Sequence, residues 1–341
     1  MTIRIGLIGA GIMGADHARL FAEDVPSVSL QVICDADSAR AKKIADATGA
    51  HGIASDPIAM INDKNVDAVV IAAPDQFHAS LAIACIEAGK PVLCEKPLSQ
   101  DLNECLGVLA AEEKRGHHLV QLGFMRRFDP SYSEIKSLLT RGDLGRALMF
   151  HCLHRNVAPA YGFQASMAIC NSAPHEFDVA RWMLDSDFKS ISIFRPPAGG
   201  ETAPVFMVLE TVAGQLVNIE VNISATYGYD VRGELVGEKG TAFLRAPVNA
   251  DINLDLKQIN TYPADWRPRF VEAYRRQNIA WIKTLNTGKP NIGANAWDGY
   301  CSTAVAMAGV EALNSGTTAA VKQIAKPKFY ARGHHENRNG N

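Results

Sequence analysis

The stretch IRIGLIGAGIMG, residues 3–14, decides the fold. A short apolar run is followed at once by glycines at 9, 11 and 14, and an amphipathic pattern then continues through Phe21. This is a strand, a tight turn and the start of a helix. Gly9 permits the turn, Gly11 lets the backbone approach a diphosphate, and Gly14 allows the helix to pack closely on the strand. A diphosphate at that place rests on the free N–H groups and the positive end of the helix. The hexapeptide alone also fits a glycine-rich turn that binds nothing. Asp35 sharpens the reading, because it closes the second apolar run, QVICD, 21 residues past Gly14. An acid there accepts from ribose hydroxyls. The expected dinucleotide contacts are Gly9, Gly11, Ile12, Met13, Gly14 and Asp35. A carboxylate at 35 repels a 2′-phosphate, and Ala36, Asp37, Ser38 and Ala39 precede the first arginine, Arg40. That favours NAD over NADP.

Outward from this turn the chain alternates short apolar runs with helical patterns: LQVIC, DAVVIAA, PVLCEK and HLVQLG are separated by SARAKKIADATG, ASLAIACIEAG and LNECLGVLAAEEKRG. Near-continuous apolar strands with helices between them predict a doubly wound parallel α/β sheet over residues 1–123. After GFMRRFDP the pattern changes. One helix, PSYSEIKSLLTRG, leads into longer alternating runs, ALMFHCLHR, PVFMVLETV, QLVNIEVNISA, DVRGELVG and INLDLKQI. Alternation without crossovers predicts a mostly antiparallel sheet packed on helices, an α+β substrate-binding and oligomerisation domain over 124–330. Residues 331–341 are polar and aperiodic, a surface tail or an arm on a neighbouring subunit.

The 341 residues suit two domains, and 34 basic against 36 acidic side chains give no footprint for nucleic acid or an anionic membrane. No run approaches a membrane span, and glycines interrupt the first apolar run where a signal peptide would continue. The seven cysteines, Cys34, Cys85, Cys94, Cys105, Cys152, Cys170 and Cys301, form no C-x-x-C pair. Scattered thiols of odd number suit a reducing cytoplasm, and neither they nor the histidines show metal-ligand spacing.

The stretch CEKPLS, residues 94–99, sets Glu95 and Lys96 at the end of the fifth apolar run. An ion pair at a strand end is common and contributes little. A lysine on the ligand edge of the sheet can instead stabilise alkoxide character on a substrate, with Pro97 stiffening the turn. Glu95 then orients Lys96 or meets the cofactor. GAGIMG, APDQFH (73–78), CEKP and GFMRRFDP, in that order, resemble the Gfo/Idh/MocA oxidoreductases over nearly the whole chain. Within that family CLHRN (152–156), MAICNSAPHEFDVARWML (167–184) and YGYDVRGELVGEKG (227–240) look like segments of inositol dehydrogenases.

The resemblance implies a Rossmann domain joined to an open-faced β-sheet domain, and a homo-oligomer, a tetramer. It implies NAD-dependent oxidation of a cyclic polyol or sugar hydroxyl without a metal, with Lys96 and His175 catalytic. Ala73, Pro74, His78, Glu95 and Lys96 are then expected on the cofactor side, and Arg127, His154 and Tyr229 against the polyol. The apolar spacing of Phe177, Val179, Trp182, Met183 and Leu184 predicts a helix with His175 in its first turn. The dipole there favours the neutral imidazole that a general base requires. Arg127 also fits an ion pair with Asp129, and Tyr229 an outward strand position. One departure stands out. Inositol dehydrogenases usually carry aspartate four residues before this histidine, and this chain has Asn171. Asparagine can orient a hydroxyl but adds no charge. Two other readings follow from it, an aldose dehydrogenase with the same lysine and histidine and a nucleotide-binding regulator with an impaired site.

Overall fold

The computed structural model describes residues 2–244, 252–290 and 292–331. The chain forms two compact units. The first gathers residues up to Phe128, then Tyr274–Thr303 and those described from Ile324 onward; the second gathers Asp129–Ala273 and Ala304–Gln323. From residue 332 the expected tail lies outside the described residues.

In the first unit the apolar runs become the strands β1 (Ile3–Ile8), β2 (Val28–Cys34), β3 (Gly52–Ala54), β4 (Ala68–Ile71), β5 (Val92–Cys94) and β6 (Val120–Leu122). Between them run α1 (Ile12–Glu23), α2 (Ser38–Thr48), α3 (Pro57–Asn62), α4 (His78–Glu87) and α5 (Leu102–Arg115). The order is β6-β5-β4-β1-β2-β3 with every pair parallel, which only crossover connections allow. Alternate residues of β4 feed opposite cores. Val69 and Ile71 pack with Leu81, Cys85 and Leu109, whereas Ala68 and Val70 pack with Phe21, Ala41 and Trp281. Both faces are covered, which is why these strands read as continuous apolar runs. The order reverses between β1 and β4, so the loops after them diverge and leave a crevice at the carboxyl edge. A two-residue strand, Ala294–Asn295, adds antiparallel to β6.

The second unit opens with α6 (Pro130–Thr140), capped by Asp129 with proline at its start. Its strands are β7 (Ala147–Arg155), β8 (Phe188–Phe194), β9 (Val205–Thr211), β10 (Leu216–Asn222), β11 (Asp230–Gly237) and β12 (Thr241–Phe243). They form a sheet in the order β12-β11-β7-β10-β9-β8, extended by Ala319–Ala320, and only β7 and β10 run parallel. Phe150 and Cys152 of β7, Met207 and Leu209 of β9 and Val217, Ile219 and Val221 of β10 point to one buried face. The helix Pro174–Leu184 lies against β7. Two expectations need correction. The run at 252–259 is no strand of this sheet but a separate hairpin, β13 (Ile252–Leu254) with β14 (Lys257–Ile259). Asp255 and Leu256 both take positive φ, at 50° and 58°, and fold the run back on itself. The sheet instead takes in Phe188–Phe194, whose FKSISIF pattern went unread.

Candidate active site

The glycine-rich turn follows β1 with Gly9 at φ 96°, and a Cβ there would stand 2.4 Å from the Ala72 carbonyl oxygen. At Gly14 a Cβ would fall 1.8 Å from the Gly9 carbonyl oxygen, so helix and loop touch backbone to backbone. Gly11 differs. A Cβ there meets nothing within 4 Å, so the space it leaves is open. Gly11 is the N-cap of α1 and offers no side-chain cap, and the first turn carries no acid. The helix therefore presents free N–H donors to an anion beside a clear approach, which fits the diphosphate of NAD. Ile12 is exposed and Met13 half-buried on this loop.

Asp35 follows β2 and accepts the Ala10 N–H at 2.7 Å and the Asp37 N–H at 2.8 Å. Its carboxylate thus ties the glycine-rich loop to the β2 end and keeps further lone pairs for hydroxyl donors. Arg40 lies 3.4 Å from Asp37 and 4.0 Å from Asp35 and is half exposed. Cys34 beside Asp35 is pushed up to about 11, first by burial and then by the neighbouring carboxylate, and burial holds the Cys94 thiol well above its usual value. Neither supplies a thiolate near neutral pH.

Three strand ends meet on this edge: β1 with the glycines, β4 with Ala73 and Pro74, and β5 with Glu95 and Lys96. Ala73 is half-buried and Pro74 exposed. His78 is buried, and its ring nitrogens meet the Pro97 and Ala73 carbonyl oxygens at 2.7 and 2.8 Å. It braces the β4 loop against the turn that follows Lys96, and the Lys96–Pro97 peptide bond is cis. Glu95 is buried, with one oxygen 2.8 Å from His17 Nε2 and the other accepting the Lys96 N–H at 3.3 Å. Its carboxylate lies flush on Gly123, where a Cβ would stand 2.8 Å from it. Lys96 itself is half-buried.

Arg127, also in the first unit, pairs with Asp298 at 3.3 Å. Asp129 is taken instead by Arg269 at 2.6 Å while it caps α6, which removes the Arg127–Asp129 pairing.

The other polar residues singled out lie in the second unit. His175 is the second residue of the helix Pro174–Leu184 and is 8% exposed. A π-helical turn, Ala168–Ser172, precedes it, closed by Ala173 N–H donating to Ala168 O at 3.0 Å. Such turns are frequent at functional sites. Asn171 sits on this turn and is exposed, so a widened turn separates it from His175. His154 of β7 and Tyr229 are both buried, with ring centroids 5.8 Å apart and edge to face. Tyr229 is therefore no outward strand residue. These two are brought together with Glu176, fully buried, whose carboxylate lies 3.1 Å from His154 Nδ1.

Four participants went unassigned in the sequence. Glu176, Asp298 and Asn278 are ordinary polar residues on helices, and only their burial marks them. His17 did carry a signal, since it falls among Gly14, Ala18 and Phe21 on the buried face of α1. Among the described residues no group of three or more histidine, cysteine, aspartate or glutamate side chains could hold a metal ion, and no helix is long and apolar enough to cross a membrane.

A parallel sheet with an open, uncapped helix end after β1 and a carboxylate after β2 defines an NAD-dependent oxidoreductase. The family model described as oxidoreductase family, NAD-binding Rossmann fold, matches residues 3–124, and that of the GFO/IDH/MocA C-terminal domain matches 132–243. The chain belongs to the Gfo/Idh/MocA oxidoreductase family. It is 43% identical over 336 residues to inositol 2-dehydrogenase 1 of Saccharopolyspora erythraea, covering 97% of this chain and 99% of that one. Inositol 2-dehydrogenase 2 of the same organism is 44% identical with the same coverage. A myo-inositol dehydrogenase from Lactobacillus casei, crystallised with NAD(H) and myo-inositol, superposes with a TM-score of 0.91 at 26% identity, over 97% of this chain and 100% of that one.

Proposed function

We propose that this oxidoreductase converts a secondary ring hydroxyl of an inositol-type cyclic polyol to the ketone, with Lys96 and His175 as catalytic groups. The observation that carries the reading is the identity of 43% and 44%, end to end, with two proteins named inositol 2-dehydrogenase. NAD, when bound, supplies the two-electron acceptor for the carbinol carbon. His175, in the first turn of its helix, takes the hydroxyl proton as a neutral imidazole. The Lys96 ammonium donates to the carbinol oxygen and stabilises the charge that develops there. A polyol ring needs many aimed donors and acceptors, which Arg127, His154 and Tyr229 provide, with His154 held by Glu176. Asn171 adds an amide that both donates and accepts.

One residue favours a second reading. Asn171 stands where inositol dehydrogenases carry an acid, and an aldose in place of the inositol is the substrate class this change allows. For assembly we infer a homotetramer joined through the outer face of the second unit's sheet, where Phe194, Phe206, Leu216 and Phe243 are exposed. The seven free thiols, six of them buried, support a reducing cytoplasm.

Substitution tests the two catalytic roles. Lys96→Ala and His175→Ala should each lower kcat by about 10²–10⁴-fold. NAD affinity, read by titration, should fall far less. Near wild-type turnover in either variant would remove that residue from the chemistry.

A further inference from the structure

A chain of buried polar groups runs behind Lys96. Asn278 Nδ2 lies 3.1 Å from His17 Nδ1, His17 Nε2 lies 2.8 Å from Glu95 Oε1, and Glu95 Oε2 accepts the Lys96 N–H at 3.3 Å. Asn278 is fully buried, His17 is 1% exposed and Glu95 is 6% exposed. Burial at this depth is costly for a carboxylate unless donors meet it. The ring of His17 cannot turn freely, since Phe21 stacks on it and Tyr274 meets it edge-on, with centroids at 6.3 and 5.9 Å. All of these residues belong to the first unit.

The donors and acceptors fit one proton arrangement. The Asn278 amide nitrogen only donates, so His17 Nδ1 accepts, and the ring proton sits on Nε2. Glu95 only accepts when ionised, so it takes that proton's hydrogen bond and the Lys96 N–H as well. The chain joins α1, which carries the dinucleotide loop, to the turn that carries Lys96. Beyond Lys96, His78 meets the Pro97 carbonyl at 2.7 Å, so buried histidines pin both neighbours of the lysine.

We propose that His17 and Asn278 are positioning residues for Lys96, acting through the Glu95 carboxylate. The inference rests on the catalytic reading of Lys96 given above. Holding Glu95 fixes the backbone from which the lysine side chain departs, and small misplacements of a reacting group are expensive. Glu95 itself faces inward, away from any substrate role. The link also explains why an acid directly precedes the lysine: it is the only anchor in the turn that α1 can grip.

The test compares His17→Phe, which keeps the ring's bulk but has no donor, with His17→Gln, whose amide can still donate to Glu95. His17→Phe should lower kcat on the order of 10–100-fold, more than it weakens NAD binding, and His17→Gln should recover most of the loss. In a Lys96→Ala background, His17→Phe should cost little further, because its effect passes through the lysine. An equal loss in both backgrounds would overturn the inference. So would wild-type turnover in His17→Phe beside an inactive Lys96→Ala, and the reading of Lys96 would then survive. Wild-type turnover in Lys96→Ala would overturn both. The ¹⁵N resonances of His17 in the unmodified protein give a check that needs no folded variant. A protonated Nε2 with a bare Nδ1 supports the chain, and a proton on Nδ1 overturns it.

Discussion

Glu95 and Lys96 are neighbours in sequence with separate tasks. The acid is buried against His17 and Gly123, and the lysine keeps partial exposure on the ligand edge of the sheet. Most residues named from the sequence belong to such local logic, with a glycine at a tight turn or an acid at a strand end. Their partners were illegible, because His17 stands 78 residues from Glu95 and Asn278 stands 261 residues from His17. No spacing rule reaches that far. Asn171 is the residue at which a change in chemistry is most directly readable. A carboxylate near His175 would stabilise the imidazolium, so the base would lose its proton at higher pH. Asn171→Asp should therefore move the acidic limb of the kcat/KM profile upward, since oxidation needs the neutral base. Superimposable limbs on one shared substrate would show that residue 171 does not couple to the base.

Elements were legible where periodicity and turn chemistry agreed. The strands β1, β4 and β5 and the helices α1 and α5 stand where the apolar runs and their punctuation put them, and Asp101 and Gly116 bracket α5 as cap residues should. The hairpin at 252–259 was misread because alternation sets a strand but not its partner, and its turn, Asp255-Leu256, lacks the glycine or asparagine that would announce it. One helix-to-strand clasp carries a titration. Glu112 of α5 accepts the Leu119 and Val120 N–H groups at 2.6 and 2.7 Å and the Tyr330 hydroxyl at 2.5 Å. Burial raises its carboxyl above the usual 4.5, outweighing those donors. A group that holds its proton more tightly when folded contributes fully below the unfolded pKa and loses that contribution as pH climbs through the raised one. Glu112→Gln mimics the protonated form. From pH 4.5 upward the urea midpoint of the wild type should fall progressively against that of the variant. A constant offset would contradict the raised carboxyl.

For the whole molecule, the two-part architecture was readable from the change of pattern after GFMRRFDP, because crossovers force parallel pairing and their absence allows antiparallel pairing. The return of Tyr274–Thr303 to the first unit was not, since two amphipathic helices carry no mark of which core receives them. The open face of the second sheet predicts a tetramer. Light scattering at micromolar concentration should give about four times the 36.8 kDa chain mass. A monomer would refute the inferred interface. The substrate class is the central claim, and kcat/KM with NAD over a panel of inositols and aldoses tests it most directly. The account predicts NAD reduction with at least one inositol at a kcat/KM above that of every aldose, with the ring ketone as product. Preference for an aldose, or turnover with no inositol, would contradict it.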